Sequence, residues 1–199
     1  MPDAPQAPDT RRASLPRDAR IARVLDTAEQ LFYARGVHAV GMDELITSTG
    51  LAKMSVYRLF PTKDELVGAY LARLAARILD LIDTDIAVHA DDPRQGLLSI
   101  LDAIEADLNS EGFRGCPFGN AGSEYDDPDH PARRMARQYR QELLARLTVT
   151  ASQITSTGEE LAAQLAVLID GAYLNAANLG PDGPAAAGLA LARTLVRAA

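Results

Sequence analysis

Apolar residues recur along this chain at three- and four-residue intervals and almost nowhere at every second position, so helix is the predicted element throughout. From Pro16 to Arg35, the residues Ile21, Val24, Leu25, Ala28, Leu31 and Phe32 form one stripe, which Gly36 closes. Two short segments follow. The first, Met42 to about Ser48, carries Met42, Leu45 and Ile46 on one side. Gly50 then stands where a helix ends in a left-handed residue, a conformation glycine adopts without steric cost. The second, about Lys53 to Phe60, turns Val56 and Leu59 or Phe60 inward. Pro61 stops it, because the residue before a proline is pushed out of helical geometry.

Thr62-Lys63-Asp64-Glu65 reads as a capping box opening a long helix to about Asp83 or Val88, with Leu66, Tyr70, Leu74, Ile78 and Leu81 inward. Asp92-Pro93 starts the next, which runs to about Asn109 and carries Leu97, Ile100, Leu101, Ile104 and Leu108. A glycine-bearing, partly apolar stretch spans Glu111 to Asp127. Further helices are expected over about Pro131–Ile154 and from a second capping box at Thr157-Gly158-Glu159-Glu160 to about Leu179. After the turn at Gly180–Pro184, a last one runs to the end of the sequence. The expected fold class is all-α, about nine helices and no sheet. Abundant alanine and leucine, few aromatics and no tryptophan agree with it.

Helix, short turn, helix over Gly41–Phe60 is the arrangement that lets a second helix lie in a DNA major groove. Two short helices serving a core alone give the same pattern. The net charge of −7 argues against nucleic acid until its distribution is considered. Residues 11–63 hold nine Arg/Lys against five acids, a net of +4, whereas residues 64–199 carry −9. A basic N-terminal quarter on an acidic remainder is the electrostatic footprint of a DNA-reading head.

The stretch VYRLFPTKDELV, Val56 to Val67, resembles the signature of the TetR family of bacterial transcriptional regulators. The matching elements are Leu31-Phe32, Gly36, Asp43-Glu44-Leu45, Gly50-Leu51, Tyr57, Phe60, Lys63 and Leu66, within a resemblance spanning Arg17 to Tyr70. The segment around Cys116 is similar to a Gly-Cys-x-Phe-x-Asn-Ala loop of one branch of that family. Three positions depart from the pattern. Ile46 replaces a small alanine, and Leu59 replaces a frequent phosphate-binding histidine. Ala52 replaces a capping serine, a loss of around 1 kcal/mol. Residues 1–16, rich in Pro, Asp and Ala, are expected to be a disordered arm, and the resemblance implies 17–62 as a helix-turn-helix DNA-binding domain and 63–199 as a helical ligand-binding and dimerisation domain.

Candidate DNA-facing residues are Lys53, Met54, Ser55, Tyr57, Arg58, Thr62 and Lys63. Residues at the start of a recognition helix reach base edges, so Lys53, Met54 and Ser55 are the readers. Lysine donates to guanine, and a methionine methyl touches a thymine methyl. Tyr57 suits a phosphate through its hydroxyl, and Lys63 with the amides after Thr62 forms a helix-start anion site. A packing role for Tyr57 and a solvated charge for Lys63 are the plain alternatives. Arg11 and Arg12 are placed to reach phosphates or the minor groove, or simply to be solvated.

The last two helices carry stripes of Leu161, Leu165, Leu168, Ala172 and Leu179, and of Leu189, Ala192, Leu195 and Val196. In the family the corresponding pair forms a four-helix dimer interface, against the alternative of a purely internal bundle. A pocket is expected among Leu101, Ile104, Phe113, Phe118, Met135, Tyr139 and Leu143, an apolar set suggesting a lipophilic or aromatic effector, with plain core packing as the commoner role for Phe and Leu at such positions. The expected function is that of a homodimeric repressor on a palindromic operator, released by a small molecule. An activator, an architectural DNA binder and an all-helical enzyme are the alternatives.

No phosphate loop, nucleophile elbow or paired catalytic carboxylates appear, so an enzyme is not expected. His38, His89 and His130 lack metal-ligand spacing, and neither metal nor cofactor is expected. The single cysteine, Cys116, excludes an internal disulfide and is expected to be buried and structural. With no leader and no apolar run near roughly 18 residues, a cytoplasmic protein is expected.

Overall fold

The computed structural model describes residues 15–199. Arg11, Arg12 and all but the last two residues of the expected arm lie outside them. Among the described residues there are nine helices and no strand: α1 (Arg17–Arg35), α2 (Met42–Thr49), α3 (Lys53–Leu59), α4 (Lys63–Val88), α5 (Pro93–Leu108), α6 (Pro117–Ser123), α7 (Pro131–Ala151), α8 (Gly158–Leu179) and α9 (Pro184–Ala198). The chain is all-α.

The stripe on α1 buries Val24, Leu25, Ala28 and Phe32 against α2 and α4. Gly36 follows at φ 88°, a backbone that side chains rarely adopt, and its amide closes on the Phe32 carbonyl. Leu45 and Ile46 of α2 and Val56 of α3 complete this small core. Thr62 caps α4 as its position requires, its hydroxyl accepting from the Glu65 amide at 3.1 Å. Asp92 does the same for α5 by accepting from the Gln95 amide.

The long helix α4 joins the two ends of the molecule. It packs on α1, where Phe32 and Tyr70 meet at 6.0 Å, and also on α7 and α5. Polar ties reinforce the first contact. Arg73 reaches Asp26 at 2.7 Å and Glu29 at 3.1 Å, and Arg77 reaches Glu29 at 2.5 Å. At the other end α8 packs on α7 and α9, and α9 lies against α5. There Arg193 of α9 binds Asp102 and Glu105, and Arg94 donates to the Val196 carbonyl.

Four local expectations need correcting. The Glu111–Asp127 stretch, read without a helix, holds α6, a seven-residue turn of helix that Pro117 starts. The box at Thr157 does not cap: its hydroxyl pairs with that of Thr155, and no side chain caps α8. Gly158 instead allows close approach, since a Cβ there would lie 2.4 Å from the Ser152 amide nitrogen. Helix α7 ends at Ala151, three residues early, where the chain turns through Ile154. Leu81, expected inward, is 62% exposed.

Candidate nucleic-acid interface and ligand cavity

The turn between α2 and α3 is built by two adjacent residues. Gly50 takes the left-handed conformation at φ 66°. Thr49, fully buried, donates its hydroxyl to the Ile46 carbonyl at 2.7 Å and accepts the Leu51 amide at 3.1 Å. This fixes the direction in which α3 leaves. No side chain caps α3 at Ala52, as the substitution for serine implied.

On the outer side of α3, Lys53 and Met54 are 60% and 64% exposed, and Arg58 is also exposed. Ser55 and Tyr57 are half-buried, Tyr57 against the apolar cluster. The Lys53 ammonium lies 5.9 Å from the Tyr57 ring centre and 2.7 Å from Asp43. That exposed pair is readily exchanged for a phosphate or a base edge. Leu59 is half-buried in the same cluster and offers nothing to DNA. Thr62, exposed, has its hydroxyl engaged in capping α4. Lys63 follows it half-buried, and burial lowers its pKa. Partial desolvation strengthens what such an ammonium gains from an anion.

Behind these helices lies a clamp that sequence inspection missed. The Glu124 carboxylate, at the end of α6, accepts the Val37 amide at 2.7 Å and the His38 amide at 2.6 Å. The His38 ring stands 3.1 Å from the same carboxylate and 4.7 Å, centre to centre, from the Tyr125 ring. Tyr125 stacks in turn on His130 at 3.4 Å. Burial raises the Tyr125 hydroxyl to about 12. The loop joining α1 to α2 is thus held by α6.

The cavity begins at the other end of α6. It has a volume of about 540 Å³ and lies among α1, α4, α5, α6, α7 and α8. Of the expected wall residues, Ile104, Phe113, Phe118, Tyr139 and Leu143 line it. Leu101 does not; it is core, and Ile100 occupies the wall beside it. Met135 also lies outside the lining, half-buried against the core. The unforeseen walls come from α1, α4 and α8: Glu29, Gln30 and Tyr33, then Tyr70, Leu74, Arg77 and Ile78, then Ile169, Asp170 and Tyr173. The Tyr33 hydroxyl donates to the Gly115 carbonyl and accepts the Arg114 amide, tying α1 to the segment before α6. Cys116 also lines the cavity, and burial raises its thiol pKa. A thiol held protonated in this way is a poor nucleophile. Tyr70 and Tyr173 were detectable as polar-tipped residues interrupting apolar stripes; Glu29 and Arg77 gave no such signal.

Among the described residues no group of three His, Cys, Asp or Glu side chains is arranged to hold a metal, and no helix is long and apolar enough to cross a membrane. A helix-turn-helix with an exposed, partly basic second helix defines the class, a DNA-binding regulator. Residues 24–70 match the family described as bacterial regulatory proteins, tetR family. A TetR-family transcriptional regulator from Streptomyces coelicolor, SCO4454, is 30% identical in sequence. It superposes with a TM-score of 0.85 over 91% of this chain and 96% of its own. The chain belongs to the TetR family of DNA-binding transcriptional regulators, which are not enzymes.

Curated relatives agree. The HTH-type transcriptional activator FasR of Mycolicibacterium smegmatis is 33% identical over 113 residues, covering 55% of this chain. The chain spans about half the length of the first of these relatives, 51% for FasR. The HTH-type transcriptional repressor Rv3405c of Mycobacterium tuberculosis is 27% identical over 143 residues, covering 72% of this chain and 73% of its own.

Proposed function

We propose that this regulator is a homodimeric repressor that binds a palindromic operator through residues 17–62 and leaves it when a small molecule fills the cavity that residues 63–199 share with α1. The observation that carries the reading is the composition of the cavity wall. Glu29, Gln30 and Tyr33 belong to α1, the helix on which the helix-turn-helix rests. A ligand in contact with those side chains binds one position of α1 better than another, and only such a difference shifts an equilibrium. Its second route runs through α6, walled by Pro117 and Phe118 at one end and clamping the Val37–His38 amides at the other.

Dimerisation is supported by an apolar face that none of the described residues covers. Val167, Leu174 and Leu191 are 72%, 67% and 50% exposed on α8 and α9. The stripe singled out from sequence lies mostly elsewhere: Leu161, Leu165, Ala172, Leu189, Ala192 and Val196 are buried within the chain. Repression is favoured by the Mycobacterium tuberculosis relative, which covers more of this chain. Activation, the role named for the Mycolicibacterium smegmatis relative, is the second reading. A bacterial DNA-binding role also fits the cytoplasm.

In this scheme Lys53, Met54 and Ser55 read bases, Tyr57 and Arg58 contact the backbone, and Thr62 with Lys63 holds a phosphate at the start of α4. Replacing Tyr57 or Lys63 by Ala is expected to weaken binding to DNA selected from a random pool. Lys63→Ala should also flatten the salt dependence by about one unit, because one fewer counterion is released. Fluorescence anisotropy across a salt series reads both quantities. Unchanged affinity and slope in both variants would remove the assigned phosphate contacts.

A further inference from the structure

We infer that the molecule the cavity takes is an aromatic cation, an amine or quaternary ammonium carried on a ring system; this rests on reading the cavity as the effector site. Six rings line the walls: Tyr33, Tyr70, Phe113, Phe118, Tyr139 and Tyr173. Phe118 and Tyr139 stack at 3.9 Å, and Phe113 meets Tyr173 at 5.8 Å. Ring faces of this kind accept other rings and attract cations through their negative quadrupole.

The sign of the ligand's charge follows from the ionic groups. Five carboxylates line the cavity, Glu29, Asp85, Asp107, Glu111 and Asp170, against two guanidiniums, Arg77 and Arg140. Both arginines are already engaged. Arg77 binds Glu29 at 2.5 Å and Arg140 binds Asp170 at 3.1 Å. Among the described residues Asp85, Asp107 and Glu111 form no ion pair. Among the described residues the Asp107 carboxylate accepts only the Tyr173 hydroxyl, at 2.7 Å on Oδ2, and keeps Oδ1 available. Burial first, and then the Asp107 charge, holds the Tyr173 hydroxyl well above its ordinary pKa, so the neutral phenol remains the donor.

An anionic ligand would meet three uncompensated carboxylates and would have to break an existing ion pair to find a cation. A neutral ring gains the aromatic walls but nothing from the field. A cation gains both, and its solvation is replaced by carboxylates and ring faces. The same chemistry gives a route to release. Glu29 of α1 bridges Arg73 and Arg77 of α4, so a cation drawn toward it competes for a carboxylate that ties the two helices together.

The test uses the full chain and three probes of one shape: (2-naphthylmethyl)trimethylammonium, its neutral neopentyl isostere, and 2-naphthylacetate. Calorimetry on the wild type should give the cation an affinity about tenfold above the isostere, with the carboxylate weakest. In the double variant Asp107→Asn with Glu111→Gln, the cation's advantage should shrink several-fold while the isostere's affinity stays unchanged, showing an intact cavity. If the isostere or the carboxylate binds as tightly as the cation, or if the cation fails to bind, the cationic class is overturned. A neutral or anionic probe that displaces DNA at concentrations as low as the cation requires would overturn that class while leaving the effector role of the cavity standing.

Discussion

Leu174→Glu is expected to convert the protein in solution from dimer to monomer and to lower operator affinity at least about a hundredfold. Leu174 lies seven residues from Val167 on α8, two turns along one face, and Gly171 between them leaves open space where a side chain would stand. In a symmetric pair this face meets its own copy, so the substitution brings two carboxylates into one apolar seam. Burying an unpaired carboxylate costs several kcal/mol, more than a modest interface returns. Once the pair separates, each head holds one half-site, and contacts that had been made together are made singly. Because Leu174 is exposed within the monomer, the fold should survive with an unchanged helical circular dichroism spectrum. Sedimentation and DNA titration decide the matter. A variant that stays dimeric with full affinity would place the interface on another face.

Glu124→Ala is expected to lower stability by about 2–4 kcal/mol and to weaken the ligand's effect on DNA binding while leaving ligand affinity nearly intact. The carboxylate accepts two backbone amides, and hydrogen bonds to charged acceptors are worth about 1.5–3 kcal/mol each, less what water recovers for a half-exposed loop. For a chain of this size, that corresponds to a melting temperature lower by about 5–15 °C. Gly36 shows how closely the clamp fits, because a Cβ there would stand 3.2 Å from the carboxylate. If α6 transmits ligand binding to the α1–α2 loop, freeing that loop should shrink the ratio of DNA affinities with and without ligand. Melting and release equal to the wild type would show that the clamp carries neither stability nor coupling.

The helix-turn-helix was legible because its determinants are local. Gly36, Gly50, Pro61 and Thr62 each act within a few residues, and the observed bounds of α1 to α3 fall within about one residue of expectation. The cavity was half legible. Periodicity found Ile104, Tyr139 and Leu143, which project from helices with one apolar face. It could not find Glu29 or Tyr33, since nothing local says that α1 walls a space shared with α5 and α7. The Glu124 clamp joins residues more than eighty positions apart, beyond the reach of any pattern along the chain. On α8 apolar residues occur nearly all round, so period alone could not tell the inner row of Leu161 and Leu165 from the outer row of Val167 and Leu174. Helix α6 escaped notice because its two glycines and seven residues read as loop.

The central claim is that two basic heads, each presenting the surface that starts at Lys53, read one duplex together. Selection of bound DNA from a random pool by the 199-residue chain tests it most directly. The account predicts enrichment of an inverted repeat whose half-sites are centred about one helical turn apart. Recovery of no consensus, or of a single half-site without its inverted partner, would contradict it.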